Sequence, residues 1–115
     1  YRHQCFKTTA LLADYLDLDT SFYTLSFQSR LGKDPWLQPY TDNTIKTLAK
    51  SNKNISVVTP AFVADCLETL EEIGMEGKDE FLQHGGEVFN TIPCLNDSDE
   101  WARLLSEWIG DWTKS

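Results

Sequence analysis

The stretch Ile55-Ser56-Val57-Val58-Thr59-Pro60-Ala61-Phe62-Val63-Ala64-Asp65-Cys66-Leu67-Glu68-Thr69-Leu70-Glu71-Glu72-Ile73 decides the fold. Its first four residues read as a short buried strand of the kind found in parallel sheets. Thr59-Pro60 supplies a cap and a first helical position. A helix then runs to about residue 83 and stops at Gly85-Gly86. Carboxylates recur along it at Asp65, Glu68, Glu72, Glu76 and Asp79. At about 100° per residue these five positions share one narrow face. The mouth of a strand–helix unit is where α/β sheets bind ligands, so acids starting there form a candidate site for a cation or for proton transfer.

A solvated helix face is the plain alternative, because acids in a first turn also suit the positive end of the helix dipole. Three details favour a site. Asp65 and Glu68 stand at the strand exit, and Phe62 can border them with an aromatic ring. Gly74 and Gly77 lie inside the helix, where each is disfavoured by about 1 kcal/mol relative to alanine. Such glycines accommodate a π-bulge, a distortion frequent at functional sites. Neighbouring carboxylates raise one another's pKa, which leaves a group able to accept protons near neutrality. They are also hard oxygen ligands, suited to Fe²⁺, Mn²⁺ or Mg²⁺.

Outward from this unit the pattern alternates. Residues 4–18 carry Phe6, Ala10, Leu11, Ala13 and Leu16 at helical spacing, and Ser21 to Gln28 reads as an aromatic-rich strand. Gly32, Pro35 and Pro39 make 29–39 a loop. Thr41 can cap a helix over 42–51 with Ile45, Leu48 and Ala49 inward. Val88 to Ile92 is a third strand. Asp97 or Ser98 caps a last helix, striped with Trp101, Leu104, Leu105, Trp108, Ile109 and Trp112. The alternation implies an α/β fold, a doubly wound parallel sheet with helices on both faces. Three strands would leave open edges, so the 115 residues look like part of a larger body. The tryptophan stripe implies an apolar patch and self-association with a second copy.

Composition narrows the function classes. The formal net charge is −8, which argues against nucleic acid. No apolar run is long enough to span a membrane. Cys5, Cys66 and Cys94 form no CxxC pair, which speaks against a zinc knuckle and for reduced thiols in a cytoplasmic protein.

Pro60-Ala61-Phe62 followed by Asp65-Cys66-Leu67-Glu68-Thr69-Leu70-Glu71-Glu72 closely resembles the signature of the ferrochelatases, which insert ferrous iron into a porphyrin to make haem. Ser26-Phe27-Gln28-Ser29-Arg30-Leu31-Gly32, Trp36-Leu37-Gln38-Pro39-Tyr40-Thr41-Asp42 and Ile92-Pro93-Cys94-Leu95-Asn96 agree with the same family in order and spacing. The resemblance implies the carboxy-terminal third of a bacterial-type enzyme. Residues 1–115 would then be most of the second of two Rossmann-like, chelatase-type domains that face each other across a porphyrin cleft.

It further implies that Glu68 is the active-site glutamate, as a ligand for iron or as acceptor of pyrrole protons. Asp65 and Glu72 match metal-contacting positions of an acidic track, with Glu76 and Cys66 behind them; some relatives carry histidine at the Cys66 position. Phe62 and Trp36 match aromatic positions lining the cleft. Ser29 and Arg30, next to Gln28, lie near it, where Arg30 can meet a propionate. The family's catalytic histidine belongs upstream of Tyr1, and neither His3 nor His84 matches it. The chain by itself is therefore expected to be inactive without the amino-terminal part. The implied substrates are ferrous iron and protoporphyrin IX, or coproporphyrin III. No tightly bound cofactor is implied, and three scattered cysteines speak against an iron–sulfur cluster. The implied location is the bacterial cytoplasm, at most peripheral to the membrane. The alternative is a non-catalytic acidic α/β module that binds divalent cations or a protein partner.

Overall fold

A computed structural model of the chain describes residues 1–28, 35 and 37–114. In chain order the elements are α1 (Arg2–Tyr15), a single 3-10 turn (Thr20–Phe22), α2 (Thr41–Ser51), β1 (Asn54–Val57), a π-helix (Glu68–Gly77) that continues directly as α3 (Lys78–Gln83), β2 (Val88–Thr91) and α4 (Asp99–Lys114). β1 and β2 pair in parallel, with Asn54 opposite Val88 and Val57 opposite Thr91. The strand–helix–strand unit expected from the sequence is therefore present, and the fold is α/β with a small parallel sheet.

Strand side chains alternate between faces. Ile55 and Val57 turn inward with buried Phe89, whereas Asn54, Ser56, Val88 and Asn90 are exposed. Of the two covered faces expected, one is covered within the described residues. On it Ile45 and Ala49 from α2, Ile73 from the π-helix and Phe81 from α3 close over Phe89. Phe81 is fully buried, and its ring centroid lies 5.8 Å from that of Phe89. Gly77 lets the helix approach: a Cβ there would stand 3.2 Å from Ile45 Cδ1 and 3.3 Å from Phe89 Cζ.

Three local expectations are corrected. Ser21 to Gln28 is not a strand: after the 3-10 turn only Phe27 pairs, in an isolated parallel bridge to Tyr40. Aromatic content there serves packing, since Phe27 is buried with its ring 6.5 Å from that of Phe6. Thr41 is the first residue of α2 and not its cap; its hydroxyl instead shares a 2.9 Å hydrogen bond with Ser26. The acidic helix begins at Leu67 instead of Pro60. Phe62 N–H closes a turn on the Thr59 carbonyl, and the Thr59 hydroxyl lies 3.4 Å from Cys94 Sγ, so it caps nothing. The stop is as expected. Gly85 takes φ +106° and Gly86 N–H returns to the Phe81 carbonyl at 2.9 Å.

α1 and α4 project from this core. α1 buries only Ala13, and α4 buries none of its residues. The radius of gyration is 16.2 Å, against about 13 Å for a compact 100-residue domain. Ser98 accepts the first helical bond of α4, from Ala102, in agreement with its reading as a cap. The apolar stripe of α4 is an exposed patch, with Trp112 80% accessible. No helix among the described residues is long and apolar enough to cross a membrane.

A methyl group at Gly86 would overlap the Phe81 ring at Cε2, Cδ2 and Cζ. Gly86→Ala is therefore expected to destabilise the chain by about 1–3 kcal/mol, the range for overpacking a core. The check is a lower urea midpoint at unchanged slope; an unchanged midpoint would show that Phe81 yields freely.

Candidate functional site

The loop after β1 and the segment after β2 are tied together at Asp65. One carboxylate oxygen accepts the Thr69 hydroxyl at 2.9 Å; the other accepts Asn96 Nδ2 at 2.9 Å and Cys94 N–H at 3.3 Å. Asp65 N–H donates to Asn96 Oδ1 at 2.8 Å, and Asn96 N–H to the Val63 carbonyl at 2.9 Å. Asn96 can take φ +50° here because asparagine tolerates the left-handed region. Thr69 is buried, and its hydroxyl also receives Cys66 N–H at 3.0 Å. These bonds set where the helix can begin.

From that start the helix is wide. In an i→i+5 ladder each turn holds more residues than the α-helical 3.6. On an α-helix, positions four apart drift by about 40° per step. The wider turn offsets that drift, and Glu68, Glu72, Glu76 and Glu80 all line one groove of about 360 Å³. This corrects the five-residue face expected from α-helical spacing. Asp65 lines a separate cavity of about 230 Å³ with Val57, Thr69 and Thr91 at the ends of both strands. Asp79 is exposed and does not line either cavity, and Glu80 takes its place. The π distortion suggested by Gly74 and Gly77 is present, as a ten-residue helix.

The opposite wall of the groove comes from Phe27, Gln28, Tyr40, Thr41, Asp42 and Ile45. Gln28 Nε2 donates to Glu72 Oε2 across it at 3.0 Å. No basic side chain lines the groove among the described residues; Lys46 stands at its end, 3.8 Å from Glu80. His84, at the end of α3, packs its Nδ1 3.6 Å from the same Glu80 carboxylate. The acids are strung along the groove and do not converge: no three His, Cys, Asp or Glu among the described residues are grouped to hold a metal.

Phe62 lies in the turn before the helix and lines neither cavity. Cys66 is half-buried just before the helix. Ser29, Arg30 and Trp36 lie outside the described residues.

Glu68 departs from the raised carboxyl expected of crowded acids. A hydrogen bond from the Cys66 side chain, followed by one from its own backbone N–H, holds its carboxyl below the ordinary glutamate value. No neighbouring carboxylate is among the causes that move it, in keeping with acids strung singly along the groove. Asp65 is lowered as well, by Asn96 first and then by Thr69 and Cys94. Burial pushes the Cys94 thiol up, against the thiolate form.

The sequence pattern of the ferrochelatase family matches residues 1–111. The chain belongs to the ferrochelatase family. Ferrochelatases from Brucella ovis and Brucella melitensis biotype 1 are 54% identical to it over 110 residues, and the Brucella anthropi protein is 53% identical. Each match covers 95% of this chain and 31% of the relative's length. Glu80, Asp42 and Gln28, none of them expected as site residues, line the groove beside Glu68, Glu72 and Glu76. The four-residue step from Glu68 to Glu80 was visible in the sequence, but which of Asp79 and Glu80 lines the groove was not. The Gln28–Glu72 bond spans 44 positions and had no sequence signal.

Two outcomes are expected. Thr69→Val removes a donor to Asp65 and an acceptor for Cys66 N–H, and should destabilise the chain by about 1–2 kcal/mol in urea unfolding. Asp65 and Glu68 have folded-state pKa values below their ordinary 3.8 and 4.5. Their contribution is fully present above those values and is lost as pH falls through the lower, folded ones. Stability should therefore hold down to the ordinary values and decline below them. Asp65→Asn should lower stability at neutral pH and flatten the acid limb; a limb of unchanged shape would contradict this account.

Proposed function

We propose that this chain forms one wall of a ferrochelatase active site. There ferrous iron replaces the two pyrrole protons of protoporphyrin IX, giving protohaem and two protons. The observation that carries the reading is the groove in which Glu68, Glu72, Glu76 and Glu80 face one space that no basic side chain lines among the described residues. The family membership of residues 1–111 supports it, and nothing favours the non-catalytic module. Carboxylates strung singly suit a cation that is passed along as substrate better than one stored as a cofactor, since tight retention needs several converging ligands.

Glu68 and Glu72 contact the iron in this reading, with Glu76 behind them. Ionised at neutral pH, Glu68 can attract a divalent cation and can equally take a proton released by the macrocycle. Asp65, whose oxygens are taken up by Asn96, Thr69 and Cys94, serves by holding the start of the helix. Cys66 acts on Glu68 through its hydrogen bond. Phe62, Trp36, Ser29 and Arg30 are assigned to the porphyrin, the rings by stacking and Arg30 by pairing with a propionate. The chain needs no resident cofactor and works in the bacterial cytoplasm. The remainder of the cleft comes from the rest of the enzyme. The exposed face of α4 is assigned to self-association when the chain is alone, which concentration-dependent light scattering would reveal.

In the full-length protein carrying this chain, Glu68→Gln is expected to lower the metallation kcat by about 10²-fold or more, the range for losing a positioned acid–base group. Far-UV circular dichroism should stay unchanged. Undiminished turnover would sink the reading. The 115-residue chain alone should show no turnover.

A further inference from the structure

We propose that Gln28 is a positioning residue for Glu72, holding that carboxylate in place for the incoming cation. The inference rests on the reading of the groove as the path of a cation substrate. Its basis is the 3.0 Å hydrogen bond from Gln28 Nε2 to Glu72 Oε2, which bridges the two walls of the groove.

Both ends of that bridge are anchored by their neighbours. Phe27, one residue before Gln28, is buried; its N–H donates to the Pro39 carbonyl at 2.9 Å and its carbonyl accepts Thr41 N–H at 3.1 Å. The Ser26–Thr41 hydroxyl pair adds a further tie at 2.9 Å. Ile73, one residue after Glu72, is 3% exposed in the core cluster. The amide and the carboxylate therefore meet between two fixed backbones, and neither has to search for the other.

The chemistry of the donor matters. A carboxylate offers about four lone-pair sites, so one bond from Gln28 leaves acceptor capacity for a cation. A glutamine amide is neutral and orients Glu72 without cancelling its charge, whereas lysine or arginine would compete with the cation. A glutamate already held loses less rotamer freedom when it takes a ligand.

The test is steady-state kinetics of the full-length protein carrying this chain, with ferrous iron and protoporphyrin IX varied separately. Gln28→Ala and the similarly sized Gln28→Met should each raise the KM for iron about tenfold, in line with one lost hydrogen bond to a charged group. The KM for porphyrin should stay unchanged. Glu72→Gln should raise the KM for iron too, and adding Gln28→Met to Glu72→Gln should change it no further. Equal shifts in both KM values, effects that simply multiply in the double variant, or an unchanged KM for iron in Gln28→Met would each overturn the proposal. If Gln28→Ala loses its circular dichroism spectrum, Gln28→Met decides. If Glu72→Gln leaves the KM for iron unchanged, the reading of the groove fails first, and this inference falls with it.

Discussion

The carboxylate of Asp65 joins the loop after β1 to the segment after β2, and the placement of the groove glutamates follows from that junction. Three donors converge on it, from Thr69, Asn96 and Cys94, while its own N–H is taken by Asn96. A helix cannot begin at Pro60 while those bonds hold the chain in an irregular loop. It begins at Leu67, and Glu68 becomes one of its first residues. Shifting that start by one residue would rotate every later carboxylate by about 100° on an α-helix.

The second constraint is the width of the helix that follows. A π-helix is rare and is found mostly as single-turn bulges, yet here it runs for ten residues. The core helps to hold it. Ile73 and Gly77 face Ile45 and Phe89, and the absence of a side chain at Gly77 lets the backbone settle at that distance. α3 then resumes the ordinary turn, with Phe81 buried and Gly86 tucked against its ring. The result is one face that builds the core through Ile73, Gly77 and Phe81, and beside it, one residue earlier in each turn, a row of four glutamates presented to the groove. Packing and electrostatics are thus served by the same element.

Much of this was legible in the residues. The strand–helix–strand unit, the stop at Gly85, the inward Ile45 and Ala49, the cap at Ser98 and the exposed stripe of α4 all follow from local pattern, and the structure bears them out. The family signature around Glu68 was equally local. What failed were statements that assumed a single period or a single partner. Ser21 to Gln28 has strand-like composition, but only Phe27 finds a bridging partner. Thr41 and Thr59 have the chemistry of caps, yet their side chains are engaged with Ser26 and Cys94.

By itself, then, the sequence determined the kind of elements, the apolar faces that form the core, the family, and the glutamate at the head of the acidic row. These depend on short-range spacing and residue type, which a linear chain displays directly. Only the tertiary structure decided which acids share a space. Asp65 left the row because Thr69 takes one of its oxygens while Asn96 and Cys94, about thirty positions away, take the other, and Glu80 joined it because the π turn changes the period. Gln28 met Glu72 because two buried neighbours bring distant segments together. Such choices are settled by competition among hydrogen-bond partners that only the folded chain brings within reach.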